Sequence, residues 1–239
     1  MRHDGRAHDQ LREVKITTGF IKSANGSALI EVGRTRVICT AMVEHSVPDF
    51  LADTGKGWVT AEYGMLPAST PQRKQRDRGG RMDGRTTEIQ RLVGRALRAA
   101  VDRELLGEKT IWLDCDVIEA DGGTRTAAIT GACVAVAEAL RFLKESGVTF
   151  PRWPLKNLIA AVSVGMVKDA PCLDLDYVED SNADVDMNVV MTDRGEIVEV
   201  QGTAERKPFS QEQLLKLLDL ARKGIARLNE IQRAAAGLS

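Results

Sequence analysis

Two arginines stand where a cation is electrostatically out of place. Arg125 follows Asp121-Gly122-Gly123-Thr124 and opens a long apolar run, and Arg85 stands just before Thr86-Thr87 and a second periodic run. Both positions read as helix N-termini, whose unpaired N–H groups carry partial positive charge. An arginine is favoured there only beside something negative. Gly122 and Gly123 would let an anion approach the main chain, Thr124 and Thr126 add hydroxyls, and Arg125 adds a fork suited to phosphate oxygens. The other reading of the same residues is a tight turn with a capping threonine. The segment matches neither the G-x-x-x-x-G-K-[ST] loop nor G-x-G-x-x-G, so a nucleotide-triphosphate cradle is not indicated.

A second segment, Asp180-Ser181-Asn182-Ala183-Asp184-Val185-Asp186, leads into a strand. Asp184 and Asp186 share one face of an extended chain, and Asp180 can fold back towards them. Carboxylates without a neighbouring base suit Mg²⁺, which is held by one or two carboxylates together with waters and substrate phosphates. A polar turn entering a strand accounts for the segment equally well.

The net charge of −1 hides two opposed clusters. Pro71 to Arg95 carries eight bases (Arg73, Lys74, Arg76, Arg78, Arg81, Arg85, Arg91, Arg95) against three acids, and Asp174 to Asp186 carries six acids and no base. The first can hold a polyanion and the second a divalent cation, although either alone also serves as a solvated face. If the three pieces converge, two arginines and a helix terminus hold a phosphate, carboxylates hold a metal, and the basic loop holds a longer polyanion. That is the pattern of phosphoryl transfer on a nucleic acid, where catalysis is positioning and charge stabilisation.

The elements that must position these residues alternate. Val14–Thr17, Ala28–Val32 and Arg36–Ala41 read as strands, with Asn25-Gly26 as a hairpin signal. Phe50–Gln72 reads as loop, broken by glycines and prolines. A helix is expected from Thr86 or Thr87 to a stop at Gly107, with Arg91, Arg95 and Arg98 forming one stripe away from its buried face. Thr110–Ile118 reads as a strand, and Thr126–Leu143 as a helix apolar nearly all round and therefore central. Strands follow at Leu158–Val167, Cys172–Tyr177, Met187–Met191 and Ile197–Val200. A long last helix is capped by Ser210 with Gln213 in a capping box and Phe209 and Leu214 as a hydrophobic staple. Strands then helices, twice, argue for an α/β sandwich of two similar halves, roughly 1–145 and 146–239, in a single domain spanning 1–239.

Composition sets the limits. With 43% hydrophobic and 28% charged residues the chain can bury a core, so disorder is excluded as the main state. No apolar run is expected to span a bilayer and the first residues lack an apolar leader, so no membrane and a cytoplasmic location are expected. Four cysteines without pairing motifs read as buried hydrophobes, and three histidines without ligand spacing leave no zinc site.

Met1-Arg-His-Asp-Gly-Arg, Gly57 to Pro67, Gly84 to Arg95, Asp114-Cys-Asp-Val, Ala120 to Ala127, Asp184 to Val190 and Glu199 to Glu205 together resemble bacterial ribonuclease PH over nearly the whole chain, in order. The resemblance implies an α+β fold of the ribosomal protein S5 domain 2-like type. It implies a phosphate-dependent 3′→5′ exoribonuclease that trims tRNA precursors, releases nucleoside diphosphates, can run in reverse as a nucleotidyltransferase, and assembles as a hexamer, a trimer of dimers. Carried over by position, it implies a phosphate site at Arg85, Gly123, Thr124 and Arg125, and metal-binding carboxylates at Asp180 and Asp186. It also implies RNA contacts at Arg73, Arg76, Arg78, Arg81 and Arg91. Ala68 departs from the pattern, because several relatives have an arginine in that loop. The rival readings are a catalytically silent RNA-binding ring subunit, which would lack the arginine and carboxylate pair, and a small-molecule kinase, which would need an ATP loop.

Overall fold

A computed structural model describes residues 2–76 and 83–238. Strands β1 (Val14–Thr18), β2 (Gly26–Val32), β3 (Thr35–Glu44), β4 (Trp58–Met65) and β5 (Thr110–Glu119) form one sheet in the order β1-β2-β3-β5-β4. Every second residue of β3 and β5 is buried, Val37, Cys39 and Ala41 against Ile111, Leu113, Cys115 and Val117, as one-sided packing of a pleated strand requires. Strands β6 (Ile159–Val167), β7 (Ala170–Leu173), β8 (Val185–Thr192) and β9 (Ile197–Ala204) form a second, antiparallel sheet in the order β7-β6-β8-β9.

The helices are α1 (Gly84–Ala100), α2 (Arg103–Leu106), α3 (Thr124–Glu145), α4 (Tyr177–Asp180) and α5 (Gln211–Ala236). Helix α3 packs on strands of both sheets, which explains why it is apolar nearly all round. It has the length and mean hydropathy of a membrane span, contrary to the expectation of no such run, but 83% of that stretch is buried inside the fold. All four cysteines are buried and free. The long helix α5 starts as expected: the Ser210 side chain accepts from the Gln213 N–H, Gln213 reaches back, and Phe209 and Leu214 pack on the second core. The two-half βα sandwich is therefore the observed architecture.

Strand β4 is the main departure, because Gly57, Gly64 and two prolines made this stretch read as loop. Its alternation is nonetheless clean, with Val59, Ala61 and Tyr63 buried. It runs parallel to β5, Trp58 opposite Thr110 and Met65 opposite Val117, so β4, α1, α2 and β5 form a crossover. Asn25-Gly26 is not a tight turn. Gly26 opens β2 and lies so close to α3 that a Cβ there would sit 2.2 Å from the Ala135 carbonyl oxygen. The tight turn is at Gly33-Arg34, in the next hairpin, between Val32 of β2 and Thr35 of β3. The helix expected to reach Gly107 ends at Ala100, where Val101 turns extended to bridge Leu155, and Asp102 caps the separate α2. Residues expected to form a strand up to Tyr177 instead turn after Leu173 into α4.

Candidate active site

The crossover determines where the arginines meet. Because β4 and β5 are parallel, their C-terminal ends lie side by side at one edge of the sheet. Helix α1 follows the first and α3 follows the second, so both helix N-termini open at that edge, where crevices of parallel sheets bind ligands. Asp83 caps α1, its carboxylate accepting from the Thr86 N–H, which places Arg85 inside the first turn rather than before it. Gly123, with φ +65°, caps α3, and Arg125 falls in that first turn.

From the other half, β8 brings Asp186 opposite Thr203 of β9, and α4 ends at Asp180. The result is an open basin of about 840 Å³ whose wall includes Arg85, Glu88, Arg125, Asp180, Asp186, Asn188, Gln201, Thr203, Glu205 and Arg206. The four residues singled out as the reacting centre thus line one cavity. Asn188 and Gln201 face each other across β8 and β9, two residues on from Asp186 and Thr203, so the sheet pleat repeats the lining.

The carboxylates form the acidic part of the basin wall. Burial pushes the Asp186 carboxyl up to about 6, and Asp180 and Glu205 add to the rise while Arg125 and Arg85 oppose it. Burial also raises Asp180, against the pull of Arg85 and Arg125, and the two carboxyls lie within hydrogen-bonding reach of each other. One oxygen of Asp186, Oδ1, is buried with no hydrogen-bond partner among the described residues. A half-buried carboxylate with one buried, unmet oxygen beside a second carboxylate fits a hard divalent cation, whose ligands are oxygens. Asp184, the other acid expected on that face, instead pairs with Lys207 at 3.7 Å.

Arg125 is held loosely. Its Nη1 donates to both Glu88 oxygens at 3.4–3.5 Å and to Gln201 Oε1 at 3.4 Å. Gln201 is fixed in turn by donating to Glu199 at 3.0 Å, and Glu199 accepts two bonds from Arg95. Part of the expected arginine stripe is therefore engaged: Arg95 braces β9, and Arg98 donates to the Val59 carbonyl and lies 4.5 Å over the Trp58 ring. Arg91 is exposed on α1.

Gly123 and Thr124 are not part of the basin wall. The Thr124 hydroxyl accepts from the buried Tyr63 hydroxyl at 2.8 Å, which ties α3 to β4. The room left by Gly122 is not open either. With φ +75°, a Cβ there would lie 2.6 Å from the Asp176 carbonyl carbon, so the turn is seated on the main chain before α4. Arg73 and Arg76 are exposed on the loop leading towards α1, and Arg78 and Arg81 lie outside the described residues. Sequence reasoning missed Glu88, Gln201 and Arg206, polar residues whose only signal was their position within or beside the quoted motifs.

Similarity to known proteins identifies the family. Residues 10–141 match the first domain of the 3′ exoribonuclease family and residues 157–224 match its second domain. The chain belongs to the ribonuclease PH family of 3′ exoribonucleases. It is 60% identical over 238 residues to proteins named ribonuclease PH from Corynebacterium efficiens and Moorella thermoacetica, covering 99% of this chain and 97% and 95% of theirs. Among solved structures it resembles rice Rrp46, with TM-score 0.79 and 19% identity over 98% of this chain and all of that one. It also resembles an Archaeoglobus fulgidus exosome described with RNA bound to the active site, with TM-score 0.80 and 24% identity over 96% of this chain and 91% of that one. Those two likenesses show the ribonuclease PH fold.

Proposed function

We propose that the basin is the reaction centre of a phosphate-dependent 3′→5′ exoribonuclease, the activity that comes with membership of this family. The chain is a phosphorolytic exoribonuclease of tRNA processing and, in reverse, a nucleotidyltransferase. The observation that carries the placement is the convergence of Arg85, Arg125, Asp180 and Asp186 on one cavity from both halves of the chain.

The residues explain the chemistry. Inorganic phosphate is already an anion at neutral pH, so its oxygen needs no general base to attack the last phosphodiester. The new bond joins that oxygen to phosphorus and the bond to the 3′ oxygen breaks. A nucleoside 5′-diphosphate leaves, and the shortened RNA end takes a proton from solvent. The barrier is the approach of two anions. Arg85 and Arg125 screen it, and the weak grip of Glu88 and Gln201 leaves the Arg125 fork available to phosphate. Gly123 and Thr124 serve the phosphate by holding Arg125 at the mouth of α3. Asp180 and Asp186 would hold Mg²⁺, which when bound would supply Lewis acidity to the leaving 3′ oxygen. Arg73, Arg76, Arg78, Arg81 and Arg91 hold the RNA backbone behind its terminus, with one contact fewer at Ala68. The protein works in the cytoplasm as a homohexamer, a trimer of dimers, each chain a single domain spanning 1–239.

An RNA carrying extra 3′ nucleotides, incubated with Mg²⁺ and with or without inorganic phosphate, tests this. Shortening that requires phosphate and releases nucleoside diphosphates is expected. Intact RNA that only shifts in a binding gel would mean a silent RNA-binding subunit instead.

A further inference from the structure

The N-terminal segment, singled out in sequence but given no role by the reaction, carries three arginines that are buried. Arg2, Arg6 and Arg12 are 7%, 9% and 8% exposed. They face Asp174, Asp176 and Glu179, which are buried too. We propose that Arg12 is a positioning residue that locks the phosphate side of the basin to its carboxylate side. The inference rests on the assignment of phosphate to Arg85 and Arg125 and of the cation to Asp180 and Asp186.

Arg12 spans the seam between those sides. Its Nη1 donates to the Asp121 carbonyl at 2.6 Å, the residue that opens the turn into α3 and Arg125. Its Nε and Nη2 grip the two Asp174 oxygens at 3.0 and 2.7 Å, and its own N–H donates to Asp174 at 2.8 Å. Asp174 starts the loop that runs through α4 to Asp180. It holds a left-handed backbone, φ +54°, a strained conformation that surrounding contacts must maintain. The two segments also meet directly, because Gly122 is seated on residues 175–177. Arg2 and Arg6 act on one side only. Arg2 holds Glu179 and the Leu173 and Asp174 carbonyls, and Arg6 holds the Asp174 carbonyl and Glu179. A buried charged network adds little stability over apolar packing of the same volume. What it supplies is direction, and the direction here is the spacing between a phosphate and a metal. Misplacing reacting groups by about 1 Å can cost on the order of 10²-fold in rate.

Lysine keeps the charge of Arg12 but cannot make a fork and a third bond together. Full-length Arg12→Lys and Arg2→Lys proteins, checked for folding by thermal melts, are assayed with inorganic phosphate and Mg²⁺ varied separately. Arg12→Lys is expected to raise both the phosphate KM and the half-saturating Mg²⁺ by about tenfold, with RNA KM unchanged, about a tenth of that misplacement cost. Arg2→Lys is expected to shift Mg²⁺ alone. A merely structural role would lower melting temperature and active fraction and leave both half-saturation values where they were, and that result overturns the proposal. Should Arg12→Lys fail to fold, Asp174→Asn, which tolerates the left-handed backbone, is read in the same way. Arg125→Ala and Asp186→Asn run alongside. If they leave the phosphate and Mg²⁺ responses unchanged, the site assignment falls and the Arg12 inference with it. If they respond and Arg12→Lys does not, the Arg12 inference falls alone.

Discussion

Arg2, Arg6 and Arg12 in the N-terminal segment and Arg85 and Arg125 at the basin are the same residue used in opposite ways. The first three are buried and bonded to carboxylates and carbonyls at 2.5–3.4 Å, with Arg12 gripping both oxygens of Asp174. The second pair stands at a cavity, and the bonds of Arg125 are all 3.4–3.5 Å long. Saturated guanidiniums fix shape, whereas guanidiniums with spare donors recruit an anion. Charge alone does not separate Arg12 from Arg125; the distance to the nearest acid does, 2.7 Å to Asp174 against 3.4 Å to Glu88.

Removing the anchor of the saturated set should cost most. Asp174→Ala leaves Arg12 and Arg6 buried without their shared carboxylate, and denaturant unfolding should report a loss of about 3–5 kcal/mol. A loss below about 1 kcal/mol would erase the contrast. In the unsaturated set, Arg125→Ala should keep the fold and RNA binding while slowing phosphorolysis on the order of 10²–10³-fold. Steady-state rates at saturating phosphate check this, and near-normal turnover would remove Arg125 from the chemistry.

The carboxylate side gives a prediction of opposite sign. The carboxyl of Asp186 lies at about 6, above its ordinary value, so its ionised form destabilises the metal-free fold. A raised folded-state value means that this stability is present at low pH and is lost as pH rises through about 6. In the presence of a chelator, Asp186→Asn should therefore be more stable than wild type at pH 7.5, by about 1–3 kcal/mol, with the difference vanishing near pH 4. The same variant should no longer respond to Mg²⁺. Thermal melts across pH read both, and an Asp186→Asn protein that is less stable at pH 7.5 would contradict the destabilising effect of the ionised Asp186 carboxylate. The smallest effect belongs to the exposed loop. Arg76→Ala should weaken RNA binding only a few-fold and reduce the slope of log affinity against log salt by about 0.7, one single-strand phosphate contact. An unchanged slope would take Arg76 off the RNA path.

What the sequence made legible was local. Ser210 and Gln213 are three residues apart, so a capping box could be read and was found. Alternation along β3 and β5, and the all-round apolarity of α3, were equally visible. Strand β4 was not, because Gly57 and Gly64 look like breakers until β5 is seen pairing with it in parallel. That pairing is also why Arg85 and Arg125 meet, so the convergence was inferred from charge at helix ends without its structural cause. Asp174, Asp176 and Glu179 belonged to an acidic run that read as one cation site. Their partners lie 162–177 residues away in sequence, and no local pattern announces such a pairing. The run divides accordingly: its first part is neutralised by the N-terminal arginines, and Asp180 and Asp186 line the basin.

The claim on which all of this depends is that phosphate, drawn in by Arg85 and Arg125, is the attacking group. Radiolabelled inorganic phosphate supplied with Mg²⁺ and a 3′-extended RNA tests it directly. The account predicts that the label leaves in the terminal phosphate of the nucleoside diphosphates, one for each nucleotide removed. Unlabelled nucleoside monophosphates, with all the label still in free phosphate, would show that water attacks instead and would contradict it.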